Sequence, residues 1–221
     1  MLDDQTLQAT VIEELEWDPS FDAAHIGVAA KHGVVTLSGF VDSYAAKAAA
    51  ERATRRVRGV KAIAEEIEVR LPSAQKHADD EIAERAVRIL AWDIQVPDEH
   101  IQVKVEHGLV TLTGEVAYRF EKTAAEADVR QLGGVRGVLN LVRVSPLAIP
   151  AADPEIVEQK ITAALRRNAE IEASHIEVSS EHGRVTLRGQ VRTWLERTSA
   201  ENAAWASPGV IEVDNELRVS P

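Results

Sequence analysis

The chain has 221 residues, 45% of them hydrophobic and only 4% aromatic, with no cysteine and a formal net charge of −11. Such a composition suits a folded globular protein with aliphatic cores and excludes stapling by disulfides or thiolate-bound metal. Basic and acidic residues stand at 8 against 12, 9 against 12 and 8 against 12 over 1–75, 76–150 and 151–221, so no third of the chain has the basic excess that favours bulk attraction to nucleic acid or a strongly anionic membrane.

The opening stretch MLDDQTLQATVIEELEW is acidic and amphipathic. It lacks the basic start and the apolar run of roughly 7 to 15 residues of an export leader, and no later stretch reaches the roughly 20 apolar residues that cross a bilayer. The expectation is a cytoplasmic chain without a transmembrane segment, periplasmic only if an export leader has been removed.

Glycines and histidines recur at a spacing of 75: His25, His100 and His175; Gly33, Gly108 and Gly183; Gly39, Gly114 and Gly189. A solenoid repeat is usually about 20 to 50 residues long, so this period predicts three copies of one small domain, over 1–72, 77–145 and 152–221. Each copy opens on an amphipathic helix, with Leu7, Val11, Ile12 and Leu15 matched by Ile82, Ala86, Val87 and Leu90 and by Val157, Ile161 and Leu165. Asp79 or Asp80 is placed to cap the second of these helices, and Asp153 before Pro154 the third. Trp17 and Trp92, at the helix ends, are expected to cover the hydrophobic core.

Alternating apolar residues then predict a hairpin turning on His-Gly, at 32–33, 107–108 and 182–183. A tight turn with positive φ at both positions suits glycine and tolerates histidine. The other histidine of each copy lies seven residues earlier, roughly 23 Å away along an extended strand, so the two do not share one ion. Gly39, Gly114 and Gly189 fall on the inward face of the second strand and are expected to admit a crossing helix. A second helix over Ala45 to Val57 has an alanine face. The third strand carries Asn140 and Asn215, with Glu65 at the aligned position; asparagine there predicts a bulge or a side-chain bond to backbone. Proline-bearing linkers, LPSAQKHADD and SPLAIPAADP, are expected to be semi-rigid.

The fold class is therefore α+β: three tandem αββαβ domains, each with two helices on one face of a three-stranded mixed sheet. Gly33, Val35, Leu37, Gly39, Gly59 and Val60, with their counterparts Gly108, Val110, Leu112, Gly114, Gly134 and Val135 and then Gly183, Val185, Leu187, Gly189, Gly209 and Val210, resemble the signature of the BON domain family in every copy. The resemblance implies a noncatalytic, stress-associated module that binds phospholipid or the cell envelope, and no cofactor. Glu65 departs from the family's asparagine.

Candidate lipid or partner surfaces are Tyr44, Tyr118, Phe120 and Trp194 around the start of the second helix, together with Arg52, Arg55 and Arg56 in the first copy and Arg192 and Arg197 in the third. An alternative use of the same modules is a protein-binding scaffold that offers its sheet edges. No nucleophile elbow, cysteine nucleophile or histidine–carboxylate spacing suggests an enzyme, and the acidic copies disfavour nucleic acid.

Overall fold

The structure, a computed structural model, describes residues 3–72, 77–145, 153–168 and 171–220. The expectation of semi-rigid linkers falls on stretches that include residues 73–76 and 146–152, which lie outside the described residues. Domain 1 runs α1 (Asp4–Trp17), β1 (Ile26–Lys31), β2 (Val34–Val41), α2 (Tyr44–Arg56) and β3 (Ala62–Val69). Domain 2 has α3 (Asp79–Trp92), β4 (Ile101–Glu106), β5 (Leu109–Val116), α4 (Arg119–Arg130) and a third strand split into β6 (Gly137–Asn140) and β7 (Arg143–Val144). Domain 3 has α5 (Pro154–Arg167), β8 (Ile176–Glu181), β9 (Arg184–Val191), α6 (Trp194–Trp205) and β10 (Glu212–Val219). In each sheet the middle strand pairs antiparallel with the first and parallel with the third, which makes the mixed three-stranded sheets of the expected αββαβ order.

Three separate aliphatic cores follow from the periodicities. In domain 1, Leu7, Val11 and Leu15 of α1 meet Val35, Leu37 and Val41 of β2 and Ala46, Ala50 and Ala53 of α2. The stripe is narrower than the sequence suggests, since Ile12 and Val87, one residue off it, are exposed.

The hairpin turns have His32, His107 and His182 at φ 54°, 53° and 49°, each followed by a glycine of positive φ. An aspartate from the first helix holds the turn in two domains. Asp4 accepts the His32 N–H at 2.7 Å, while Asp79 accepts the N–H groups of His107 at 2.7 Å and Gly108 at 2.9 Å. These bonds, Gly108 first, hold the Asp79 carboxyl below the usual range. Asp79 is therefore not the helix cap: Ala78 takes that place without a side-chain bond, whereas Asp153 caps α5 ahead of Pro154 as expected.

The strand glycine has a different neighbour from the expected one. A Cβ on Gly39, Gly114 or Gly189 would collide with the carbonyl oxygen of His25, His100 or His175, not with a helix, and φ is 110°, 137° and 132°. The histidine just ahead of the first strand lays its carbonyl across the middle strand, and in domain 1 it accepts the Phe40 N–H at 3.2 Å. Both sets of recurrent histidines thus act through the backbone, one at the turn and one at the glycine.

In the third strand, Asn215 Oδ1 accepts the Leu217 N–H, while its Nδ2 donates to the Arg197 carbonyl and the Glu201 carboxylate. Asn140 repeats the pattern with Val142, Lys122 and Glu126, so it ties the strand to the second helix at the point where domain 2's third strand divides. Glu65 accepts the Ile67 N–H at 3.0 Å but has no donor for the helix. Its Oε2 is buried without a hydrogen-bond partner, and burial pushes its carboxyl above the usual range against the opposing pull of the Ile67 bond and Lys47. A group with a raised folded-state pKa contributes least to stability once pH has risen through that value. Glu65→Asn is thus expected to stabilise domain 1 by about 1 kcal/mol at pH 7, with the gain shrinking as pH falls through the raised value toward the ordinary carboxyl range, as urea unfolding at pH 7 and at about pH 4 would show.

Candidate functional site

Residue Trp92 lies two positions beyond Leu90, the last buried residue of the α3 stripe. At about 100° per residue, two positions carry a side chain some 200° around the helix, onto the solvent side. Trp92 is accordingly 90% exposed and Trp17, its equivalent after Leu15, 84% exposed. This corrects the expectation that these indoles cover the core, and the angular arithmetic of the sequence already contained the answer.

After α3 the chain turns sharply. Asp93 accepts the Gln95 N–H at 2.8 Å, and Val96 is buried in the domain 2 core. With Val96 fixed inward, Ile94 is turned out and is 99% exposed. An aromatic and a β-branched side chain thus flank a single carboxylate on a tight loop.

The same loop borders a cleft. Gln95 lines it beside Tyr118, Phe120, Ala124 and Ala127 from the start and middle of α4, with Trp205 of α6 as the opposite wall and a volume of about 600 Å³. The Tyr118 N–H donates to Glu121 at 2.9 Å, which fixes the first turn of α4, and the Tyr118 and Phe120 rings stack with centroids 5.5 Å apart. Both rings are exposed. The alanines keep the floor shallow, so aromatic edges form the rim. Arg119 lies with its guanidinium carbon 5.3 Å from the Trp205 ring centroid, a cation–π distance.

One acid near this surface is weakened. Asp128 in the last turns of α4 has Oδ2 buried without a hydrogen-bond partner, and burial, then the neighbouring Asp93, pushes its carboxyl above the usual range. In domain 1 the residue equivalent to Asp93 is Asp18, which instead receives the Arg56 guanidinium at 3.1 Å. Domain 2 has Gln131 at the position of Arg56. Its helix ends therefore meet with less cationic compensation than in domain 1.

The structure brings Tyr118 and Phe120 together in one place and Arg55, Trp194 and Arg197 together in another, and leaves the other candidates apart. Tyr44 is half-buried against the domain 2 core, and Arg55 lies 5.3 Å over the Trp194 ring while pairing with Glu51 at 2.5 Å. Arg56 pairs with Glu14 at 2.7 Å as well as with Asp18. Arg192 pairs with Glu172, and Arg197 donates to the carbonyls of Leu217 and Asn215. Arg52 is exposed on α2. Trp92 and Ile94 were not among the candidates; the outward angle of Trp92 was legible, whereas Ile94 depends on Val96 being anchored.

No helix among the described residues is long and apolar enough to cross a membrane. The chain is 32% identical to osmotically-inducible protein Y of Escherichia coli K12 over 144 residues, 63% of this chain and 71% of that one. It is 36% identical to a 21 kDa hemolysin of Actinobacillus pleuropneumoniae over 67 residues, 30% of this chain and about a third (34%) of that relative. A solved C-terminal domain of CdsD, a structural protein of the type III secretion system of Chlamydia trachomatis, is 15% identical over the full length of both chains at a TM-score of 0.27, too low to bear on fold or function. A family model described as the BON domain matches residues 3–70, 78–146 and 153–221. With the family's glycines at the hairpin turn and the strand crossing in all three copies, and nearly the whole chain matched, the protein belongs to the BON domain family.

Proposed function

We propose that the chain is a noncatalytic, stress-associated protein that attaches to phospholipid surfaces through the apolar rim of domain 2, formed by Trp92, Ile94, Tyr118 and Phe120. The observation that carries this reading is the loop at the end of α3, where Trp92 and Ile94 stand almost wholly in solvent beside an aromatic-rimmed cleft. Indole and phenol rings suit the boundary between headgroups and acyl chains, since each has an apolar body and a polar edge. Burying one large side chain stabilises attachment by roughly 1.5 to 3 kcal/mol, so a few together suffice for reversible binding.

A net charge of −11 opposes long-range attraction to anionic lipid. At physiological ionic strength the Debye length is about 8 Å, so residues at the contact decide the outcome. A relative named for osmotic induction and another named a hemolysin support a stress-linked role at membranes. Cosedimentation of the whole chain with equimolar phosphatidylcholine and phosphatidylglycerol vesicles at physiological salt tests the proposal. Pelleting with vesicles is the expected result, and a chain that stays in the supernatant at every lipid concentration contradicts it.

A further inference from the structure

The second helix of each domain meets a neighbouring domain in one repeated way. Tyr44, Arg119 and Trp194 are equivalent positions in the first turn of α2, α4 and α6, and Arg55, Arg130 and Trp205 are equivalent positions in the last turn, each set spaced by 75. Trp194 of domain 3 lies under Arg55 of domain 1, Arg119 of domain 2 lies over Trp205 of domain 3, and Tyr44 of domain 1 packs against the core of domain 2. The start of each second helix therefore rests on the next domain, from 1 to 2, from 2 to 3 and from 3 back to 1. Ala48 and Ala49 agree: both are buried, yet neither belongs to the domain 1 core cluster, so α2 is covered on more than its sheet-facing side.

A head-to-tail contact repeated with constant sense either runs on as a filament or closes. Here it returns to its origin after three copies. Rotation about the axis of such a ring keeps equivalent positions at one height, so residues 17, 92 and 167, at the end of each first helix, fall on one face. Two are exposed tryptophans and the third is Arg167, exposed next to Arg166.

We propose that the chain is a closed ring of approximate threefold symmetry that presents Trp17, Trp92 and the Arg166–Arg167 pair together to one flat phospholipid surface. The inference rests on the phospholipid reading of domain 2 and extends it to the other two domains. Indoles at two corners enter the interface, and guanidinium groups at the third donate to headgroup phosphates in bidentate fashion. Contacts that share one plane gain avidity of roughly 10² to 10⁴ over a single contact, whereas a surface that bends away from the plane forfeits it.

The absence of cysteine makes the geometry directly measurable. Lys31→Cys, Glu106→Cys and Glu181→Cys occupy equivalent exposed positions beside the hairpin turns, and pairwise spin labelling of the whole chain gives three interdomain distances by electron–electron resonance. Three equal distances are expected. A distance from 31 to 181 near the sum of the other two overturns the ring. Vesicle binding supplies the second arm: Trp17→Ala and Trp92→Ala are each expected to weaken partition about tenfold, and the double variant by the product. Loss with Trp92→Ala but none with Trp17→Ala leaves the phospholipid reading intact and overturns the shared plane. An intact chain that binds no vesicles overturns the phospholipid reading itself, and the spin distances still report whether the ring exists.

Discussion

Gly114→Ala is expected to unfold the second domain under conditions where the parent is folded. The added methyl would occupy the space of the His100 carbonyl oxygen, and that oxygen belongs to the backbone leading into β4, where Ile101 pairs with Gly114 itself. No rotamer change relieves the clash, so either β4 separates from β5 or the Gly114 backbone leaves φ 137°, a conformation that alanine adopts only under strain. Strained backbone costs about 1 to 3 kcal/mol and overpacking another 1 to 3. Those costs compare with a total stability of roughly 0.05 to 0.15 kcal/mol per residue, about 3.5 to 10 kcal/mol for a domain of this size, so they consume much or all of it. Denaturant unfolding followed by circular dichroism, with amide exchange across residues 101–116, reads the effect. Gly133→Ala is the control, because its Cβ meets only the His77 ring at ordinary contact distance. Equal stability of the two variants would contradict the backbone role assigned to His100.

Ile94→Glu is expected to lower vesicle partition by about 10- to 100-fold while leaving the melting temperature unchanged. Ile94 is almost fully exposed, so its replacement removes no packing, and surface substitutions of that kind stay within about ±0.5 kcal/mol. At a phospholipid surface the same change forfeits the roughly 1.5 to 3 kcal/mol of one buried aliphatic side chain and adds a carboxylate beside Asp93. Arg52→Glu, at an exposed position of α2 in domain 1, changes the charge by two units against one and serves as the more stringent charge control. An Ile94→Glu chain that partitions like the parent, while Arg52→Glu does not, would move the contact away from domain 2.

Local periodicity explains why so much of the fold was legible. Leu7, Val11 and Leu15 declare a helix face, the His-Gly pairs declare a turn that needs two positive φ values, and a period of 75 repeats each inference three times. Features set by contacts distant in the chain were less accessible. That Gly39 needs a glycine was evident, but its partner, the carbonyl of His25, lies beyond the far end of the paired strand and leaves no side-chain signature. Asp79 looks like a helix cap in sequence and instead reaches the hairpin turn 28 residues on. Among the candidate surface residues, Tyr118 and Phe120 face the cleft together, while Arg55 and Trp194 face each other across a domain boundary. A single copy contains no information about its neighbour, so that pairing emerges only when equivalent positions are compared in three dimensions.

The attachment itself is tested most directly by titrating the whole chain with phospholipid vesicles whose acyl chains carry bromine, and following tryptophan emission. Trp92 reaching below the headgroups predicts a blue-shifted, quenched emission, with much of the quenching lost in Trp92→Phe. Emission that neither shifts nor quenches at saturating lipid, or quenching unchanged in Trp92→Phe, would contradict the account.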